Sequence, residues 1–196
     1  MPMDGLFDTS TGLIDFVIIG EELQQFATYA DAINTFSLQK LNELREEHPD
    51  YEVDLEGGES VLRWERNVGF VTPATLLMTS YVLFEKSLKN LCYSFTMGKQ
   101  GYQNPIGEKF KVKQRQNEST IDAQLRYLSE ECEFKFVLSD DESRMIFASG
   151  SIRNAYAHGD WEMVKALLRE IDLTEVLRVI SNIFRKIEDG LPTPNG

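Results

Sequence analysis

The stretch "TPATLLMTSYVLFEKSLKNLCYSFTMG", residues Thr72–Gly98, decides the fold. Over its first half it is apolar nearly all round, which is the pattern of a helix at the centre of a bundle. Thr72 reads as an N-cap, Pro73 as the first helical residue and Gly98 as the stop. Glu85 is its first charge. One reading pairs Glu85 with Lys89 on the helix surface, four residues on. The other makes it an acid that faces a site and holds a histidine or arginine.

Other helices gather around this one. From Leu13 to Glu47 apolar residues recur at steps of three and four, and Gly20 reads as a kink or a break. "HPD" at 48–50 stops that helix. Residues 51–71 are ambiguous: "YEVDL" alternates like a strand and "EGGE" reads as a turn, so a short hairpin or irregular excursion is expected. Ser119 or Thr120 caps the next helix. Ser139 opens another with a capping box closed by Glu142 and three acids in its first turn. Gly159 ends it, Asp160 caps a short helix, and Asp172 starts the last one. No internal repeat appears. The expectation is an all-α fold, an antiparallel bundle of five or six helices.

A chain of 196 residues with 42% apolar content buries a full core. We read 1–196 as a single domain, with 1–12 and 190–196 as flexible tails. Cys92 and Cys132 are too few for a disulfide framework and fit a reducing cytoplasm. No membrane segment or signal peptide is read. The net charge of −12 argues against nonspecific affinity for nucleic acid. A local exception lies at 99–115, where Lys99, Lys109, Lys111, Lys113 and Arg115 stand against Glu108 alone, with Tyr102 and Phe110 between them. Those residues suit single-stranded RNA by charge and stacking, or are simply a solvated loop.

The chemistry concentrates in "SIRNAYAHGDW", residues 151–161, which holds one of the two histidines. Each helical residue advances roughly 100°, so Asn154 and His158 share a face while Arg153 diverges from His158 by roughly 140°. Two arrangements still bring them to one cleft: a helix loosened near its glycine, or a second copy across a two-fold axis. Histidine transfers protons near neutrality, and arginine grips phosphate oxygens in a fork. Asn154 would position the imidazole or a ribose. The plain alternative is structural: an arginine paired with an acid, a histidine beside a capping glycine, and Tyr156 in the core. No metal motif is present, since the histidines and cysteines are scattered and neither His-Glu-x-x-His nor Cys-x-x-Cys occurs.

"IRNAYAHG" resembles the R-N-x-x-x-H motif of HEPN domains. The size, the late position of the motif helix and the earlier apolar helix bearing an acid resemble that family too. The helix order resembles the family's over most of residues 70–190, and the first 70 residues carry no family feature. The resemblance implies a metal-independent endoribonuclease with no cofactor, in which two motifs meet across a homodimer cleft. The 2′-hydroxyl attacks the adjacent phosphate and leaves a 2′,3′-cyclic phosphate. His158 would be the general acid or base, Arg153 would bind phosphate and Asn154 would orient them, with Glu85, Tyr156 and Asp160 as supports. The resemblance also implies a toxin or phage-defence effector with a neutralising partner. Toxin subfamilies often carry Tyr two residues after the histidine. Asp160 stands there instead, which sets this chain apart from them and from their usual nucleotidyltransferase partner. Two other readings remain: a non-catalytic HEPN-type module that binds a protein or nucleotide within a larger complex, and an unrelated helical interaction protein.

Overall fold

The computed structural model describes residues 6–53, 55–98 and 110–192, without the side chains of residues 55–57. Among these residues the fold is all helical, with no strand. The helices are α1 (Ile14–Glu47), α2 (Leu55–Arg66), α3 (Thr72–Met97), α4 (Thr120–Glu130), α5 (Asp140–His158), α6 (Trp161–Leu167) and α7 (Leu173–Asp189). A π-helical turn, Asn67–Val71, fuses α2 to α3, so these segments form six rods. The bundle read from the sequence is the architecture observed.

α3 is the hub, with α1, α4, α5 and α7 packed against it. Leu77, Phe84, Leu88 and Leu91 of α3 are buried together with Phe16 and Leu23 of α1 and Leu177, Ile180 and Phe184 of α7. The Phe84 and Phe184 rings meet edge to face, 5.4 Å between centroids. The run 58–97 is long and apolar enough to cross a membrane by length and composition alone. Here its α3 portion supplies the core's central face.

α1 has 34 residues, about 51 Å of helix. Its first half packs into the main core, and its second half forms a separate cluster with α2 through Leu41, Leu44 and Val61. α1 runs through Gly20 without the break that the sequence offered as one reading. A Cβ there would stand 2.7 Å from the Phe7 carbonyl oxygen, so Gly20 serves the close passage of the preceding segment.

The hairpin expected over 51–71 is absent; a helix occupies that stretch. Val61, Trp64 and Val68 recur at helical steps and pack on α1. The glycines that suggested a turn have a tertiary cause, since a Cβ on Gly58 would lie 2.3 Å from the carbonyl oxygen of Tyr51. Thr72 is not an N-cap, because the helix already runs through it and its N–H donates back to the carbonyl of Asn67. The wide π turn ends at Val71, two residues before Pro73, which has no N–H and crowds the carbonyl four residues back.

Local signals hold elsewhere. Ser119 caps α4, Ser139 and Glu142 form the reciprocal box on α5, Asp172 caps α7, and Gly98 adopts φ +64° at the end of α3. The tails need correcting where they are described. Phe7 is buried in the core, and Thr9, Ser10 and Thr11 all donate to the carboxylate of Glu188. Glu188 is itself buried, and these bonds supply what water no longer does. At the other end, the Lys135 N–H donates to the Gly190 carbonyl at 2.7 Å.

Candidate functional site

α5 carries the motif, and its two ends fix it differently. At the start, Glu142 accepts from the Ser139 N–H at 2.7 Å and from the Lys186 ammonium of α7 at 2.6 Å. At the finish, Gly159 takes φ +71° and the chain reverses. The Asp160 N–H donates to the Ala155 carbonyl at 2.9 Å and the Gly159 N–H to Tyr156 at 3.2 Å. These are the two bonds of a Schellman motif, and they leave His158 at the helix's exposed rim.

Arg153, Asn154 and His158 are all exposed. Arg153 donates through its guanidinium to the Asn154 side-chain oxygen at 3.0 Å. The arginine's long side chain thus folds back toward Asn154, away from the direction its Cα position suggests. His158 lies one turn beyond Asn154 on the same face. Among the described residues, neither Arg153 nor His158 forms an ion pair, so the salt-bridged arginine of the plain alternative is not what is found.

The supporting residues divide. Tyr156 is half-buried against Phe70, Ala74 and Val164, hydrogen-bonds Thr75 at 3.2 Å and meets Trp161 edge to face. It belongs to the small core that seats α6. Asp160 is the N-cap of α6 and accepts from the Met163 N–H at 3.1 Å. Its carboxylate is therefore held by backbone, as the next helix's cap. Glu85 is half-buried on α3, one turn beyond Tyr81.

Sequence reasoning missed the cleft that runs beside the motif. Asn154, Ser151, Phe147 and Ser143 fall on one stripe of α5 and face Tyr81 of α3 and the first turn of α4, around a volume of about 340 Å³. Burial and the nearby Glu85 push the Tyr81 phenol up, and Arg153 opposes them. That places Arg153 and Glu85 in the electrostatic surroundings of one hydroxyl. Gly150 lets the Tyr81 ring lie on α5, with the phenol oxygen 3.3 Å from where a Cβ would stand. The available signal was Phe147, an aromatic on an otherwise polar stripe that leads to Asn154 and His158.

No family model, no curated protein and no solved structure matches this chain. Its chemistry is read from its own geometry. Among the described residues, no three His, Cys, Asp or Glu side chains gather as metal ligands.

The basic segment is only partly described: Lys99, Tyr102 and Lys109 lie outside the described residues. Lys111 and Lys113 are exposed. Arg115 pairs with Glu130 at 2.8 Å, and its backbone N–H donates to Glu118 at 2.7 Å. Glu118 is pulled down to about 2 by hydrogen bonds from the Arg126 guanidinium and that same N–H. Phe110 packs edge to face on Tyr93 and Tyr127, so its ring is engaged with the protein rather than offered for stacking. Burial pushes the Cys92 thiol up, which keeps it protonated and inert.

Proposed function

We propose that this chain is a metal-independent endoribonuclease of the HEPN type, working as a cytoplasmic homodimer in toxin or phage-defence chemistry. The observation that carries the reading is the exposed Arg153–Asn154 pair with His158 one turn on, beside the cleft that Asn154 lines with Tyr81, Asp122 and Ser151. At the start of α5, Ser139 and Glu142 cap the helix and Glu142 ties it to Lys186 of α7, whereas Arg153, Asn154 and His158 have no capping or interhelical partner among the described residues.

In this reading His158 of one copy takes the proton from a ribose 2′-hydroxyl, and the 2′-oxygen attacks the adjacent phosphorus. The bond to the 5′-oxygen breaks, and the second copy's histidine returns a proton to that leaving oxygen. The products are a 2′,3′-cyclic phosphate and a 5′-hydroxyl. Arg153 neutralises the non-bridging oxygens as charge builds, and Asn154 holds the guanidinium in place. Lys111 and Lys113 would lead the strand toward the site.

The test is RNA cleavage by the parent and by Arg153→Ala and His158→Ala, with EDTA present throughout. Cyclic-phosphate ends from the parent, and their loss in both variants, support the reading. Equal cutting by all three removes it.

One observation favours a second reading, a non-catalytic module that binds a protein or nucleotide: Glu85 and Asp122 place acids by the cleft in a chain already at −12. Light scattering separates the two, because a clean monomer at micromolar concentration leaves the two-copy site unassembled.

A further inference from the structure

The cleft beside the motif has an acid, Asp122, on its α4 wall and the guanidinium-bound Asn154 on its α5 wall. Asp122 sits opposite the middle of α5, and its Oδ2 accepts the Ser119 hydroxyl at 2.7 Å. This bond fixes the carboxylate and leaves acceptor capacity on both oxygens, since a carboxylate offers about four lone pairs. Tyr81 and Ser151 also line the cleft, and the Ser151 hydroxyl, which donates to the Phe147 carbonyl at 2.9 Å, keeps acceptor capacity. Phe147 stands on the rim with 77% of its surface exposed. The opposite end of the same stripe carries Asn154 with its bound guanidinium, then His158. Ser151, which lines the cleft, and His158 are separated by about 10 Å of helix rise. An acid on the α4 wall, and an arginine with a histidine on α5, match a ligand that donates hydrogen bonds through one group and is anionic at another.

We propose that this cleft is a nucleobase subsite taking guanine, whose ring stacks on Phe147 and whose Watson–Crick N–H groups donate to Asp122, with its 3′-phosphate at Arg153 and His158. This rests on the ribonuclease reading for the phosphate end. Guanine presents an imino and an amino N–H side by side, the pair a carboxylate accepts best. Adenine and cytosine bring only an amino group to that edge, and uracil only an imino group.

The experiment uses the full chain carrying His158→Ala, which the ribonuclease reading expects not to cut RNA. Dye-labelled pentanucleotides UUGUU, UUAUU, UUCUU and UUUUU are titrated by fluorescence anisotropy. UUGUU should bind about tenfold tighter than the others, and adding Phe147→Ala should weaken it about tenfold. Phe147→Tyr, which keeps the ring, should restore binding. Asp122→Asn should abolish the guanine preference while leaving the other affinities in place. Phe147 and Asp122 are exposed, so their replacement leaves the core intact. Equal affinity for all four oligonucleotides overturns the proposal, and so does a guanine preference that survives both substitutions. If the parent cuts RNA without regard to guanine, the subsite fails and the ribonuclease reading stands. If UUGUU binds selectively but the parent never cuts, the ribonuclease reading fails and the subsite stands.

Discussion

The two ends of α5 are chemically alike and structurally opposite. Each gathers polar side chains within two helical turns. At the first end, Ser139, Glu142 and Lys186 satisfy one another and the free N–H groups of the helix. At the second, backbone alone closes the helix, through Gly159 and the carbonyls of Ala155 and Tyr156. Arg153, Asn154 and His158 are therefore relieved of capping. A helix terminus that is closed by its own backbone leaves its side chains for other work, and that difference separates a structural cluster from a candidate site.

The contrast is tested first where the expected effect is greatest. His158→Ala should lower RNA cleavage by about 10²–10⁴-fold, the scale of general acid–base catalysis. Arg153→Ala should also abolish detectable cutting. Both variants should melt within about 0.5 kcal/mol of the parent, because exposed side chains without structural partners contribute little stability. Loss of cleavage accompanied by loss of stability would mean that the second end is structural after all.

Glu142→Ala should do the reverse, costing about 1–2 kcal/mol in urea denaturation and leaving cleavage unchanged. Burial pushes the Glu142 carboxyl up, but the Lys186 ammonium and the Ser139 N–H outweigh it and hold the group below the usual carboxylate range. A carboxyl held low in the folded state adds stability above its unfolded value, about 4.3 for glutamate. That contribution disappears as pH falls through the folded value. The stability gap between parent and Glu142→Ala should therefore be full at pH 7 and narrow progressively below about pH 4.3.

The sequence resolved this contrast unevenly. The caps at Ser119, Ser139 and Asp172 and the stops at Gly98 and Gly159 were legible because each is set by residues within one turn of it. Gly20 and Gly58 misled because their glycines answer to the distant backbones of Phe7 and Tyr51. The same holds at the site. Arg153, Asn154 and His158 stand out by type and spacing, and their shared face follows from helical geometry. The fold of the guanidinium onto Asn154 depends on a flexible side chain, and the cleft depends on how α3 and α4 are seated against α5. Neither is written in local spacing.

Gly159→Ala probes the closure of the second end. Nothing lies within 4 Å of the added Cβ, so its cost is conformational alone. An L residue forced to φ +71° loses about 1 kcal/mol, a fall of about 2–4 °C in the melting midpoint. Gly159→Asn, which tolerates the left-handed region, should recover part of that loss. If the Schellman turn seats His158, cleavage by the alanine variant should drop more than its stability does at the assay temperature.

The smallest effect is expected from Arg144→Ala, and it sharpens the comparison from the structural side. Arg144 pairs with Asp141 at 2.6 Å in the first turn of α5, beside the Glu142 network. The distance is as short as that between Glu142 and Lys186. Both side chains of the Arg144 pair are mostly in water, at 75% and 86% exposure, where side-chain entropy and screening cancel most of the attraction. The substitution should shift the urea midpoint by an amount corresponding to less than about 0.5 kcal/mol. A loss of 1 kcal/mol or more, by the same measurement, would mean that contact distance rather than burial sets what a polar pair contributes here. The exposed Arg153–Asn154 bond would then have to be counted as a structural clasp as well.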